Sequence, residues 1–216
     1  MSRLVWLIPL FPLVGALFNV LFGRVVGHKA HWVSVPALLA AFITSCLVFA
    51  RVWNGETWTG DLFTWVVAGT FKTAVTGQAD QLSAVMLLVV TGVGFFIHLY
   101  SIGYMHGDPG YARFFTYLNM FVFSMVMLVL AGNFLVLYVF WEAVGLCSYL
   151  LIGFWYEKKA ASDAGKKAFI VNRVGDFGFG LGIMLIWVTF GTLDYGEVFA
   201  KADASVSTNV YLAIAL

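Results

Sequence analysis

Asn133 to Tyr156 reads NFLVLYVFWEAVGLCSYLLIGFWY, apolar nearly throughout. It is long enough to cross a bilayer as a single helix, which takes roughly 20 apolar residues. Glu142 sits near its middle. A carboxylate at that depth costs about 3 kcal/mol on insertion-derived scales and more by simulation, so it is seldom accidental. The stretch therefore sets the fold class and poses the functional question together.

The rest of the chain shares its character. Of 216 residues, 62% are hydrophobic, 18% aromatic and only 11% charged, whereas a soluble domain carries about a quarter charged residues. The composition implies an all-α, polytopic transmembrane helix bundle. A net charge of +1 argues against a nucleic-acid partner, which would want a concentrated basic face. Cys46 and Cys147 both fall in apolar runs and read as buried free thiols rather than a disulfide or metal pair. The first apolar run continues past Gly15 to Phe22 without a small-x-small cleavage site, so it is expected to be a retained span rather than a signal peptide.

Gly132 and Asn133 alone separate this stretch (span five) from a fourth span at about Phe114 to Ala131, which predicts a tight antiparallel helix pair. Earlier spans are expected at about Leu4 to Phe22, Trp32 to Val52 and Gln81 to Tyr100, and a sixth at about Ala168 to Phe190. Asn209 to Leu216 reads as the start of a seventh, so the chain is expected to be one transmembrane domain over 1–216, incomplete at its C-terminus. Residues 54–79 are polar-punctuated and partly alternating (Phe63, Trp65, Val67, then Phe71, Thr73, Val75). With Ala68-Gly69-Thr70 as a turn, they read as a β-hairpin on the membrane surface or as an irregular loop with interfacial Trp residues. A basic loop is expected over 157–167, and a loop containing Asp194, Glu197, Lys201 and Asp203 after span six.

Basic residues favour one side. Arg24, Lys29, Arg113, Lys158, Lys159, Lys166 and Lys167 follow spans one, three and five, against Arg3, Arg51, Lys72 and Lys201 opposite. The positive-inside rule places the lysine-rich loop in the cytoplasm and residues 54–79 outside.

Span six carries a second charged group: Lys167, Asn172, Arg173 and Asp176. Arg173 and Asp176 are spaced i,i+3 and share a face, so they read as a local ion pair or as part of an ion path. Asp176 lies about nine residues, roughly 14 Å, from the basic end of its helix. Glu142 lies a similar distance from the other end of span five, so the two carboxyls should differ in depth by about one helical turn. Tyr138 lies one turn before Glu142, offering a hydroxyl, while Gly145 and Ser148 are small enough for close helix approach. Burial favours the neutral acid and a nearby cation favours the carboxylate, so a group held between them can exchange protons. The structural alternative is a permanently paired or neutral Glu142 that only holds helices together. His98 reads as a packed or interfacial histidine, or as a member of a proton relay; His28, His31 and His106 lie in or beside loops and are assigned nothing. Gly178 and Gly182 form a small-xxx-small pair suited to helix packing. No nucleotide loop, metal spacing or nucleophile–base arrangement is present in the sequence, and GDFGFG lies inside a span, where it cannot form a dinucleotide turn.

Leu130 to Tyr156 (LAGNFLVLYVFWEAVGLCSYLLIGFWY), then KKAFIVNRVGDFGFGLG from Lys166 to Gly182, and the opening LIPLFPLVGALFN from Leu7 to Asn19 together resemble the antiporter-like membrane subunits of proton-pumping NADH:quinone oxidoreductase, respiratory complex I, in the largest of their branches. The resemblance is strongest over spans three to six. The related Mrp-type sodium/proton antiporter subunits share a Trp-Glu pair in this span but not the NRVGD run. Ala143 follows the glutamate where the family more often has Gly. What the resemblance implies is a proton-translocating membrane-arm subunit, driven at a distance by quinone reduction. Glu142 falls at the family's fifth-span glutamate, which pairs with a lysine on span seven; Arg173 and Asp176 fall in its span-six motif. Flavin, iron–sulfur clusters and quinone would belong to other subunits, with no redox site here. The partners would be other membrane subunits, especially a neighbouring antiporter-like one, besides the bilayer and protons. The location would be the bacterial cytoplasmic membrane, or alternatively the mitochondrial inner membrane. A sodium/proton antiporter subunit and a structural scaffold are the competing readings.

Overall fold

In a computed structural model the chain forms α1 (Ser2–Val26), α2 (His31–Trp53), strands β1 (Trp58–Ala68) and β2 (Phe71–Ala79), α3 (Gln81–Tyr104), α4 (Tyr111–Val129), α5 (Phe134–Ile152), α6 (Lys159–Phe190) and two short helices, α7 (Tyr195–Ala202) and α8 (Thr208–Ala215). The structure describes residues 1–69, 71–202 and 208–216. Thr70 of the expected turn and Asp203 of the expected acidic loop lie outside the described residues. Among the described residues, six helices are long and apolar enough to cross a membrane, and the chain is a polytopic helical membrane bundle.

Local signals explain the boundaries. Asp80 caps α3 with a reciprocal box: Ser83 N–H donates to Asp80 Oδ1 at 2.8 Å and Asp80 N–H donates to Ser83 Oγ at 2.7 Å, satisfying two otherwise orphaned donors. Gly191 ends α6 with φ +71°, a left-handed conformation that favours glycine. Pro9 and Pro12 remain inside α1, and Pro36 inside α2. The basic segment expected as a loop over 157–167 is instead helical from Lys159. Ala160, Ala161, Ala164 and the lysines are strong helix formers, and the 32-residue α6 is about 48 Å long at 1.5 Å per residue. Its first turns can therefore extend past a hydrocarbon core of about 30 Å.

Helices α1 to α4 form the core, packed as α1 on α2 and α4, and α3 on α2 and α4. Val5, Ile8, Leu38, Val48, Leu87 and Val126 are fully buried between them. Helix α5 lies on α4 and α6 lies on α5, extending the bundle sideways. The two cysteines are free, but only Cys147 is buried; Cys46 is exposed on α2, because its face of that helix meets no neighbour.

The residues read as hairpin or loop form an antiparallel hairpin, Trp58 opposite Ala79 through Ala68 opposite Phe71, with register shifts between Asp61 and Val66. It docks edgewise onto the α4–α5 turn through a bridge between Gly77 and Ala131. The approach is close: a Cβ at Gly77 would lie 3.0 Å from the Trp6 ring, and one at Gly132 would lie 2.8 Å from Thr76 Cγ2. Asn133 is the hinge pin of this junction. Fully buried, it accepts the Val136 N–H through Oδ1 at 2.8 Å and donates Nδ2 to the Ala74 carbonyl at 2.8 Å. It thus caps α5 and ties it to β2. Asn133→Ala should destabilise the protein by about 2–4 kcal/mol, combining a lost cap with an orphaned buried carbonyl. Thermal unfolding of the solubilised protein measures it, and an unchanged midpoint would contradict this account of the junction.

Asp194 faces the same junction, bridged to Asn133. Burial, then the neighbouring negative charges of Glu197 and Asp61, push its carboxyl above the ordinary range. Its folded pKa exceeds its unfolded one, so its stabilising contribution is complete below the unfolded value of about 4 and disappears as pH rises through the folded value. The junction should therefore be tighter in acid. Two amides report it, Phe134 N–H on the Leu193 carbonyl and Tyr195 N–H on the Gly132 carbonyl. As pH rises from about 4, their hydrogen-exchange protection, corrected for intrinsic rates, should fall in the wild type and stay flat in Asp194→Asn.

An ionic cluster between α5 and α6

The α5–α6 interface is built from an apolar span that carries one acid and a longer span that carries an N-x-x-x-D face. Glu142, midway along α5, forms an ion pair with the Arg173 guanidinium of α6. Arg173 Nη1 also lies 4.0 Å from Asp176 Oδ2, so one cation sits between two carboxylates. The Arg173 guanidinium is further held over the Phe169 ring at 4.7 Å. Asp176 is 6% exposed, and the Trp141 indole N–H donates to its Oδ1 at 3.0 Å. The Tyr138 hydroxyl donates at 3.4 Å to the Asp176 backbone carbonyl. A cavity of about 620 Å³ adjoins the cluster, lined in part by Trp141, Gly145, Ser148, Asn172 and Asp176. Gly145 leaves room for Asn172, whose Nδ2 lies 3.9 Å from where a Cβ would be.

The depth argument is met: Glu142 and Asp176 come close enough to share one guanidinium. The pairing differs from the expectation. The spacing gives Arg173 as a local partner of Asp176 or as part of an ion path, and the resemblance implies a cation for Glu142 on a further span. In the structure Arg173 pairs with Glu142, its long side chain reaching across the interface, and also approaches Asp176. Tyr138 joins the cluster with its hydroxyl at the Asp176 backbone carbonyl and beside Glu142, as the sequence spacing predicts. Lys167 is exposed on the first half of α6 and is not drawn into the cluster. His98 is not brought to it either. Fully buried on α3, it donates through Nδ1 to the Gly94 carbonyl at 2.8 Å and packs against Phe115 of α4, a core position. Trp141 is the member that sequence reasoning missed. Its signal was available: an indole N–H in an apolar span needs an acceptor.

Arg173→Gln should lower stability by about 1–3 kcal/mol, less than the figure for fully buried pairs, because the Arg173 side chain is 43% exposed. The double variant Glu142→Gln/Arg173→Gln should regain at least half of that loss. A double-mutant cycle on thermal unfolding reads the coupling; strict additivity would mean that the pair contributes nothing.

The fold and the cluster together define a polytopic helical membrane protein with a charged group set inside its span. Comparisons with known proteins carry the identification further. Residues 65–115 match the family model described as NADH-ubiquinone oxidoreductase (complex I), chain 5 N-terminus, and residues 131–216 match NADH:quinone oxidoreductase/Mrp antiporter, TM. The chain is 46% identical over 215 residues to NADH-quinone oxidoreductase subunit L of Mycobacterium tuberculosis, covering 98% of this chain and 34% of that protein. It is 43% identical over 218 residues to NAD(P)H-quinone oxidoreductase chain 5 of Synechocystis, covering 96% and 32%. Among solved structures, the membrane-bound sulfane sulfur reductase, an archaeal respiratory membrane complex, has a chain that superposes with a TM-score of 0.85 at 19% identity, covering 98% of this chain and 42% of that one. That likeness is one of fold. The chain belongs to the family of antiporter-like membrane subunits represented by NADH-quinone oxidoreductase subunit L and chain 5. It spans about a third of the length of these curated relatives.

Proposed function

We propose that the full protein carrying this chain translocates protons as a membrane subunit of an NADH:quinone oxidoreductase, using Glu142, Arg173 and Asp176 as its charged path. The observation that carries the reading is the shared guanidinium. A carboxylate midway along a spanning helix is stabilised by one cation that a second, buried carboxylate also contacts, and ionisable groups at such depth mark ion paths. Two acids competing for one cation form a bistable arrangement. When Arg173 sits on Glu142, its charge is matched there; were it to move toward Asp176, Glu142 would be left without its cationic partner, and a transported ion could take that place. Trp141 positions Asp176 for this exchange by holding Oδ1 with its indole N–H. A lysine from a further span, as the resemblance implies, would compete with Arg173 for the same glutamate. Tyr138 enters as an accessory group through Asp176, while His98 and Lys167 lie away from the cluster and take no part in this reading.

In this reading the electron-transfer groups, flavin, iron–sulfur clusters and quinone, are on other subunits. The chain sits among other membrane subunits, next to another antiporter-like one, in a bacterial cytoplasmic membrane or, as the second choice, a mitochondrial inner membrane. Glu142→Gln should abolish quinone-coupled proton translocation while leaving an assembled complex, measured in inverted vesicles with a pH-sensitive dye. Wild-type pumping by an assembled Glu142→Gln complex would refute the proposal and support a scaffold role. The matched family description also covers Mrp antiporters, so sodium/proton exchange is the second reading. Redox-independent proton movement driven by a sodium gradient in the same vesicles would favour it.

A further inference from the structure

Between α1 and α4, at the end where both helices meet the basic segments, a cavity of about 380 Å³ opens. Its walls include Asn19, Val20 and Arg24 from α1 and Arg113, Thr116 and Tyr117 from α4. None of these belongs to the ionic cluster on α5 and α6.

Two of the residues that line this cavity, Asn19 and Arg113, each carry a buried polar atom without a partner. Asn19 is 3% exposed and donates Nδ2 to Ser34 Oγ at 2.7 Å, which leaves its Oδ1 without a donor. Arg113 donates Nη2 to the Phe154 carbonyl at 3.3 Å and lies over the Phe154 and Tyr156 rings, yet its buried Nε has no acceptor. Among the described residues neither Arg24 nor Arg113 has a carboxylate within ion-pair distance. Asp108 feels the charge of Arg113 but forms no ion pair with it, and its oxygens already accept from the Gly110 N–H and the Trp155 indole. The site therefore lacks an anionic acceptor at its mouth and a hydrogen-bond donor at its floor. Buried groups are seldom left in that state. Water could serve the floor, but it brings no charge to two guanidiniums.

The position narrows the occupant. Arg24 stands in the last turn of α1, at the level of lipid headgroups, and the exposed side chain of Val20 continues the wall toward the spanning part of the helix. The first turn of α4 adds its positive helix end to the same side. We propose that this cavity seats the headgroup of an anionic, hydroxyl-bearing phospholipid, its phosphate on Arg24 and Arg113 and its hydroxyl donating to Asn19. A choline headgroup has no net negative charge and no N–H or O–H for Asn19. An ethanolamine headgroup would place an ammonium beside two guanidiniums.

The test uses the full protein in its native complex, delipidated in detergent and returned to nanodiscs of phosphatidylcholine doped with phosphatidylglycerol. Retained lipid is counted by native mass spectrometry. The wild type should retain phosphatidylglycerol over phosphatidylcholine. Arg24→Gln should weaken that retention about tenfold, the scale of one lost charge-assisted hydrogen bond, whereas Arg24→Lys should keep most of it. Arg24 is exposed, so thermal unfolding of the delipidated Arg24→Gln protein should match the wild type. Equal retention of the two lipids by the wild type, or equal phosphatidylglycerol retention by the wild type and Arg24→Gln, would overturn the proposal. Displacement of the lipid by millimolar inorganic phosphate would also overturn it, by assigning the cavity to free phosphate.

Discussion

The pairing of Glu142 with Arg173 is the interaction on which the placement of α5 and α6 depends. Hydrocarbon offers no water to share the charge of a carboxylate, so a spanning helix with an acid at its centre needs a partner within reach. Helix α6 supplies that partner from a different depth of its own sequence, and the long arginine side chain closes the gap. Asp176 then cannot be an ordinary second acid. It is buried, held by the Trp141 indole, and placed at the edge of the same guanidinium. The group sets two carboxyls against one guanidinium.

The cluster's geometry is transmitted from the hairpin end. Asn133 fixes the first turn of α5 to β2, and Gly132 lets Thr76 approach closely enough for that tie to form. Asp194 returns α6 to the same point through its bridge with Asn133. Both helices that carry the charged groups are thus anchored at one end to a single buried asparagine. This tie and the Glu142–Arg173 pair hold the two helices at the same relative depth from two points. A shift of one residue along α5 would move Glu142 by about 1.5 Å and rotate it by about 100°, enough to break the pair.

Much of the fold was legible because membrane spans announce themselves by length and apolarity. The capping chemistry at Asp80-x-x-Ser83 and Gly191 went unread, although apolarity alone placed the span boundaries beside it. The start of α6 was misjudged because Lys158 to Lys167 read as a topology signal, although alanine and lysine are also good helix formers. Spacing rules explain the pattern at the site. The i,i+3 relation of Arg173 and Asp176 is visible within one helix, whereas the Glu142–Arg173 pair depends on how two helices meet, which no spacing encodes. His98 looked available to a relay because histidine titrates; what places it among Gly94 and Phe115 is the packing of α3 against α4, a tertiary fact. Trp141 was overlooked because tryptophan reads as hydrophobic bulk, although its single N–H decides where Asp176 points.

Among the six spans, the two that bear the charged cluster are the least covered: the apolar stretches of α5 and α6 are buried less than those of the first four. Arg173 is 43% exposed on its side chain and Glu142 19%. At mid-membrane depth such exposure cannot face lipid tails, because an arginine there costs about 3 kcal/mol even on the gentlest scales. Further protein or confined water must therefore lie against that side. The chain spans about a third of its relatives' length, and in the function proposed above further helices cover this face. The opening beside Trp141, Asn172 and Asp176 then becomes an internal cavity rather than a surface groove. Enclosure would lower the local dielectric and strengthen the competition between the two carboxylates for one cation.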